Sequence, residues 1–288
     1  MTADRGASSR RKTLAPAKLN LGLRVLGRRA DGYHELDSVF VPLDLADAVE
    51  LAIAPAAAAC VTLELAGASG GVPADASNLA VRAAAAFLAE AGLANALHLR
   101  VTKQIPVAAG LGGGSSDAGA VLRALAESFP DALTAPALAR LALRLGADVP
   151  YFLSPRPARV GGIGERRTPI QDLPALACVL VNPGVALATA DVFAAFAARP
   201  LPARRAFYVE LGLDLANDLE PAAEKLCPAI APLRERLRSL GARAVALSGS
   251  GPTLFGLFPD AAAAAQALAR AAFPAPTWAR VAVSPKAE

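Results

Sequence analysis

The stretch Pro106-Val107-Ala108-Ala109-Gly110-Leu111-Gly112-Gly113-Gly114-Ser115-Ser116-Asp117 decides how the rest of the chain reads. Four glycines and two serines lie between a strand-like run at residues 97–101 and a helix-like run at 118–128. Such a loop offers unblocked backbone N–H groups, and a helix starting just after it adds the positive end of its macrodipole. Together they form an anion cradle, most often for a phosphate. The cradle is not a Walker A loop, because no lysine in the chain follows a glycine. Nor does it fit the dinucleotide fingerprint, which belongs on the first strand–helix unit. The bland alternative is a flexible glycine loop with no ligand, which would cost backbone entropy on ordering.

Working outward, residues 18–26 alternate apolar and polar and predict a strand. Strands are also expected at 36–43, 48–53, 61–65 and 98–103. Helices are expected at 78–91, capped by Ser77 and stopped by Gly92, and at 135–145, stopped by Gly146. Residues 1–13 read as a loose tail. The later part predicts strands at 177–181, 244–248, 254–258 and 279–283, with helices at 228–240 and 261–272. Strands cluster early and helices then alternate with them, which implies an α+β fold. The Pro/Gly-rich residues 155–164 suggest a hinge, hence one domain over 1–160 and a second over 161–288.

The chain has 288 residues, enough for a large core. Its apolar fraction of 54% rests largely on alanine runs, and no uninterrupted apolar stretch approaches the ~18–20 residues of a membrane span. The polar N-terminus is not followed by an apolar run, so a cytoplasmic protein with no membrane association is expected. Cys60, Cys178 and Cys227 are far apart and odd in number, and read as buried small hydrophobes rather than a disulfide framework or metal site. The net charge of +4 suits anionic small molecules, while aromatics at 5% leave few stacking platforms for nucleic acid.

Three motifs together carry a resemblance. They are Pro16-Ala17-Lys18-Leu19-Asn20-Leu21, the glycine loop, and Ser248-Gly249-Ser250-Gly251-Pro252-Thr253. In this order they are similar to the GHMP kinase superfamily (galactose, homoserine, mevalonate and phosphomevalonate kinases). Residues 29–36 (Arg-Ala-Asp-Gly-Tyr-His-Glu-Leu), 145–150 (Leu-Gly-Ala-Asp-Val-Pro) and Asn182-Pro183-Gly184 resemble the branch whose acceptor is a methylerythritol carried on cytidine diphosphate. The loop departs from some relatives in having Ala108-Ala109 for glycines and Asp117 for Asn.

The resemblance implies a two-domain α+β fold with the active site in a cleft between the domains. It also implies ATP and Mg²⁺, with residues 106–116 cradling the nucleotide. Ser115 and Ser116 would line the phosphates, or cap the following helix. Asp148 is the candidate general base, because an attacking hydroxyl must lose its proton; a mere turn-capping Asp is the competing reading. Lys18, one of five lysines against 24 arginines, is the candidate partner that would hold Asp148 ionised. Asn20 shares its strand face, since side chains repeat every two residues, and would bind substrate hydroxyls or orient the pair. Tyr33 and His34, exposed by the Asp31-Gly32 turn, would stack on and read a pyrimidine. Phe193 is similar in placement to the family's second stacking aromatic, with Thr189 near the lysine. Asn217-Asp218-Leu219-Glu220 also resembles a family segment, with no chemistry assigned to it. The metal ligands are left open.

Overall fold

The computed structural model describes residues 9–197 and 215–285. Strand β1 (Ser9–Arg28) is followed by β2 (His34–Pro55), β3 (Cys60–Gly67), α1 (Leu79–Ala91), β4 (Asn95–Lys103), α2 (Gly113–Ser128) and α3 (Ala135–Leu145). A single 3₁₀ turn (Tyr151–Leu153) leads to β5 (Ala158–Gly162), β6 (Arg166–Pro169) and β7 (Ala177–Asn182). The chain ends with α4 (Thr189–Ala197), α5 (Glu220–Leu226), α6 (Ile230–Ser239), β8 (Ala244–Leu247), β9 (Leu254–Phe258), α7 (Ala261–Ala269) and β10 (Trp278–Val283).

The chain forms two compact units, and neither is contiguous in sequence. One holds residues 9–17, Ala46–Val107 and Gly112–Pro155. The other holds Lys18–Leu45, Ala108–Leu111 and the described residues from Arg156 onward. The division expected at 160/161 lies near the crossing at Pro155/Arg156. The exchange of Lys18–Leu45 and Ala108–Leu111 has no compositional mark, because it is set by pairing between distant strands.

In the first unit, β4 pairs parallel with β3 and antiparallel with residues 48–55 of β2. Leu97, Leu99 and Val101 of β4 alternate inward and meet Phe87 and Leu88 of α1 and Val121, Leu122 and Leu125 of α2 in one apolar core. Ala80, Ala83 and Ala84 are fully enclosed there; small side chains let the α1 backbone approach its neighbours closely. Helix α1 is capped by Asn78, whose side chain accepts from the Ala80 N–H, rather than by the expected Ser77. Gly92 ends it in the left-handed region at φ 63°, as the sequence predicts.

In the second unit, β10, β7, β9 and β8 form an antiparallel sheet in that order. Every residue of β7 and β9 is buried, as expected for strands covered on both faces. Val179, Val181 and Leu254 pack with Phe196 of α4, Leu219, Leu237 of α6 and Ala264 of α7. Residues 36–40 of β2 pair with β5, and β5 with β6, so part of the expected hinge is strand.

Two further readings are corrected. Residues 9–13 of the expected tail are the start of β1, and residues 1–8 lie outside the described residues. Residues 36–43 and 48–53 are one strand, because β2 crosses from one unit to the other without a turn. Cys178 and Cys227 are buried as expected, but Cys60 is exposed at the start of β3. No helix among the described residues is long and apolar enough to cross a membrane.

Candidate functional site

The glycine loop is built in three pieces. Its middle, Ala108–Leu111, belongs to the second unit. There the Leu111 carbonyl accepts from the Lys18 backbone N–H at 3.0 Å, and the Ala109 carbonyl from the Thr253 N–H at 3.3 Å. Gly110 has φ +76°, and a Cβ there would lie 2.2 Å from the Ser248 carbonyl oxygen. Only glycine permits both that backbone angle and that approach.

The loop's end starts α2 earlier than expected, at Gly113 rather than near residue 118. Gly112 is the N-cap and supplies no side-chain acceptor, and no acidic residue occupies the first turn. The first-turn N–H groups therefore point outward without a capping side chain, which suits an anion. The two serines divide. Ser116 is fully buried; its hydroxyl donates to the Pro16 carbonyl at 2.7 Å and its N–H to Gly112 at 2.8 Å. Its side chain faces the interior. Ser115 is half-exposed on the same turn and is the serine left to a phosphate or cation.

Behind α2, Lys103 and Asp117 are buried against Asp47. The Lys103 ammonium donates to Asp117 Oδ2 at 2.7 Å and to Asp47, whose Oδ1 accepts the N–H groups of Gln104 (2.5 Å) and Ile105 (2.9 Å). Burial and the charge of Asp47 push the Asp117 carboxyl up to about 7, against the opposing pull of Lys103. Burial alone would lower Lys103, but the two carboxylates outweigh it and hold the ammonium charged. Sequence reading noted Asp117 only as a departure from relatives and missed the cluster, since Asp47 lies 56 residues from Lys103.

Asp148 sits half-buried between α3 and the 3₁₀ turn, where its carbonyl accepts from the Tyr151 N–H at 3.2 Å. That turn is fixed to α2. Arg123 donates to the Phe152 carbonyl and, at 2.7 Å, to the Leu14 carbonyl. Gly119 lets the α2 backbone press on Phe152, because a Cβ there would lie 2.4 Å from the Phe152 Cβ.

The second unit assembles the remaining candidates. Lys18 is 4% exposed, so it does not simply reach solvent. Its ammonium donates to Asn20 Oδ1 at 2.5 Å and lies 4.4 Å from the centroid of the Phe40 ring. The shared strand face of Lys18 and Asn20 is thus realised. Asn20 Nδ2 donates to Ser38 Oγ at 2.8 Å, and Ser38 in turn to the Gly22 carbonyl. The hairpin joining β8 to β9 closes on this group: Ser248 Oγ accepts from the Asn20 N–H and donates to the Gly110 carbonyl at 3.1 Å. Thr189 Oγ1 is 2.9 Å from Ser250 Oγ on that hairpin. Ser38, Ser248 and Ser250 were not singled out as site residues, although the hairpin motif pointed to the last two.

Tyr33 is 58% exposed on a turn closed by Asp31, whose carboxylate accepts the Tyr33 N–H at 3.1 Å. The His34 ring stacks on Phe193 at 5.0 Å between centroids and 24° between planes, with Phe196 edge-on at 6.2 Å. Burial, and then the charge of Arg28, lowers the His34 pKa, which favours the neutral ring.

Two sequence-family models match the chain, GHMP kinases N terminal domain over residues 78–155 and GHMP kinases C terminal over 203–275. The 4-diphosphocytidyl-2-C-methyl-D-erythritol kinase of Paracoccus denitrificans is 44% identical over 280 residues, covering 93% of this chain and 94% of the relative. That of Geobacter sp. (strain M21) is 42% identical over 262 residues, covering 89% and 92%. The chain belongs to the GHMP kinases. A crystal structure of 4-(cytidine 5'-diphospho)-2C-methyl-D-erythritol kinase superposes with a TM-score of 0.76 at 38% identity, covering 96% of this chain and all of that one. A homoserine kinase from Cytophaga hutchinsonii, 20% identical, shares the fold with a TM-score of 0.73 over 100% of this chain and 97% of its own.

GHMP kinases take ATP as phosphate donor, and this kinase fits one. Gly112 and the uncapped start of α2 leave backbone N–H groups for phosphate oxygens, and a Cβ at Gly114 would meet nothing within 4 Å. Among the described residues no group of three or more His, Cys, Asp or Glu could hold a metal.

Proposed function

We propose that this kinase transfers the γ-phosphate of ATP to the C2 hydroxyl of 4-diphosphocytidyl-2-C-methyl-D-erythritol. The products are the 2-phosphate and ADP, within the cytoplasmic methylerythritol phosphate route to isoprenoid precursors. The observation that carries the reading is the exposed Tyr33 beside the stacked pair His34 and Phe193. An aromatic surface next to a neutral imidazole, a donor at one nitrogen and an acceptor at the other, suits a cytosine ring and its edge. A homoserine or mevalonate acceptor has no use for it. The names of the relatives support the same acceptor.

ATP supplies the phosphoryl group, and Mg²⁺ would offset the charge of its phosphates. Residues 106–115 cradle the phosphates, with backbone N–H groups from Val107 onward as donors. Asp148 takes the proton of the C2 hydroxyl as that oxygen forms its bond to the γ-phosphorus and the bond from phosphorus to the β-bridging oxygen breaks. Lys18 stabilises the negative charge on the attacking oxygen. Asn20 orients Lys18, and Thr189 binds near it.

The test is ADP release with ATP, Mg²⁺ and the cytidine compound, against free methylerythritol phosphate, homoserine and mevalonate. Turnover on the cytidine compound alone, lost in Asp148→Asn, is the expected result. Turnover on homoserine or mevalonate instead would sink the nucleobase reading.

A further inference from the structure

Asn217 belongs to a motif that the proposed mechanism leaves unused, yet it is 5% exposed and fully engaged. Its Nδ2 donates to two carbonyls of the β8–β9 hairpin, Leu247 at 2.9 Å and Gly249 at 2.7 Å. Its Oδ1 accepts from the Leu219 N–H at 3.0 Å. The carboxamide thus commits both protons to one short segment.

Gly249 is the residue of that segment nearest the chemistry. It has φ +58°, and a Cβ there would lie 3.1 Å from Asn20 Oδ1, 3.1 Å from the Gly110 carbonyl oxygen and 3.5 Å from Lys18 Nζ. The backbone of Gly249 is therefore packed against the lysine, its amide partner and the glycine loop. The other anchor of Asn217 is the strand that carries Lys18. Leu23 of β1 donates its N–H to the Ala216 carbonyl at 3.0 Å, and its own carbonyl accepts from the Asp218 N–H at 2.9 Å. Asp218 adds bonds from the Val25 N–H and Arg24.

We propose that Asn217 is a positioning residue for phosphoryl transfer, its carboxamide fixing the hairpin at Gly249 against Lys18, Asn20 and Gly110. It touches no reacting atom. Its backbone rides on β1 while its side chain grips the hairpin, so it sets the spacing between Lys18 and the turn that packs on it. A small misplacement of a reacting group can cost up to about 100-fold in rate. The inference rests on Lys18 acting in the transfer, as in the proposed function.

The test pairs two variants. Asn217→Asp keeps the shape and the acceptor for Leu219 but removes both donors and sets a carboxylate against two carbonyl oxygens. Asp218→Asn weakens the tether to β1 and leaves the hairpin bonds alone. Expected for Asn217→Asp is a fall in kcat of about 10–100-fold, with ATP affinity by calorimetric titration within about threefold of wild type. Asp218→Asn should lower Tm with kcat unchanged. Asn217→Ser, whose hydroxyl can serve one carbonyl, should fall between and decides the matter if Asn217→Asp does not fold. Losses of kcat that simply follow the losses of Tm across all variants, or wild-type kcat in Asn217→Ser, would overturn the assignment. Rates are compared on whichever acceptor the wild-type kinase turns over fastest, so a wrong acceptor sinks the functional reading and leaves this comparison standing.

Discussion

Lys18 and Lys103 are both buried, at 4% and 5% exposure, on strands of opposite units, and their surroundings differ in kind. Lys103 is clamped between Asp47 and Asp117. Its charge is consumed locally, and the cluster fixes the backbone at Gln104 and Ile105 just ahead of the glycine loop. Lys18 is seated on an amide oxygen and an aromatic face, with a hairpin backbone beside it. Burial of a charged group is thus no guide to its job. The described partners differ: two carboxylates around Lys103, an amide oxygen and a ring beside Lys18.

The largest expected effect tests the first half of that contrast. Lys103→Met leaves two buried carboxylates without their cation, a loss of about 3–5 kcal/mol. Urea denaturation should register it, and Tm should fall by roughly 10 °C. Lys18→Met should instead keep its Tm within a few degrees while kcat falls about 10²–10³-fold. Equal effects of the two on stability would erase the distinction.

Asp117→Asn sharpens the contrast through pH. In the folded chain the Asp117 carboxyl sits at about 7, above its ordinary 3.8. Between those values the folded state keeps a proton that the unfolded state has lost, so this group's contribution to stability falls as pH rises from about 4 to 7 and then levels. Asp117→Asn should flatten that slope and gain Tm relative to wild type at pH 8 more than at pH 4. Parallel Tm–pH curves would show Asp117 to be ionised throughout.

Ser116→Ala should have the smallest effect, about 1 kcal/mol for the bond to Pro16, with the KM for ATP unchanged. Ser115→Ala should leave Tm unchanged and raise that KM severalfold.

Much of this was legible in the chain. Gly92 and Gly146 stop helices where expected, and the alternation at residues 18–26 places Lys18 and Asn20 on one face. These are local matters of period and backbone angle. What escaped reading depends on pairs far apart. The Lys103 cluster joins residues 47, 103 and 117, and Asn217 joins 23, 217 and 249. A buried carboxylate and a surface one look alike in sequence until the partner strand is known. Ser115 and Ser116 look equivalent for the same reason, and a single residue step around one helical turn separates their surroundings.

The threading of the two units bears on how the kinase is made. Asp44, in the second unit, accepts the backbone N–H of Val283, 239 residues later. A ribosome adding about 5–20 residues per second needs on the order of tens of seconds to deliver that partner. Through this interval residues 18–45 are synthesised but lack the sheet that completes their unit, while residues 46–155 already have their own. The strand bearing Lys18 is therefore translated well before the partners that secure its unit, which makes the nascent chain dependent on protection of an apolar strand until residues 278–283 emerge.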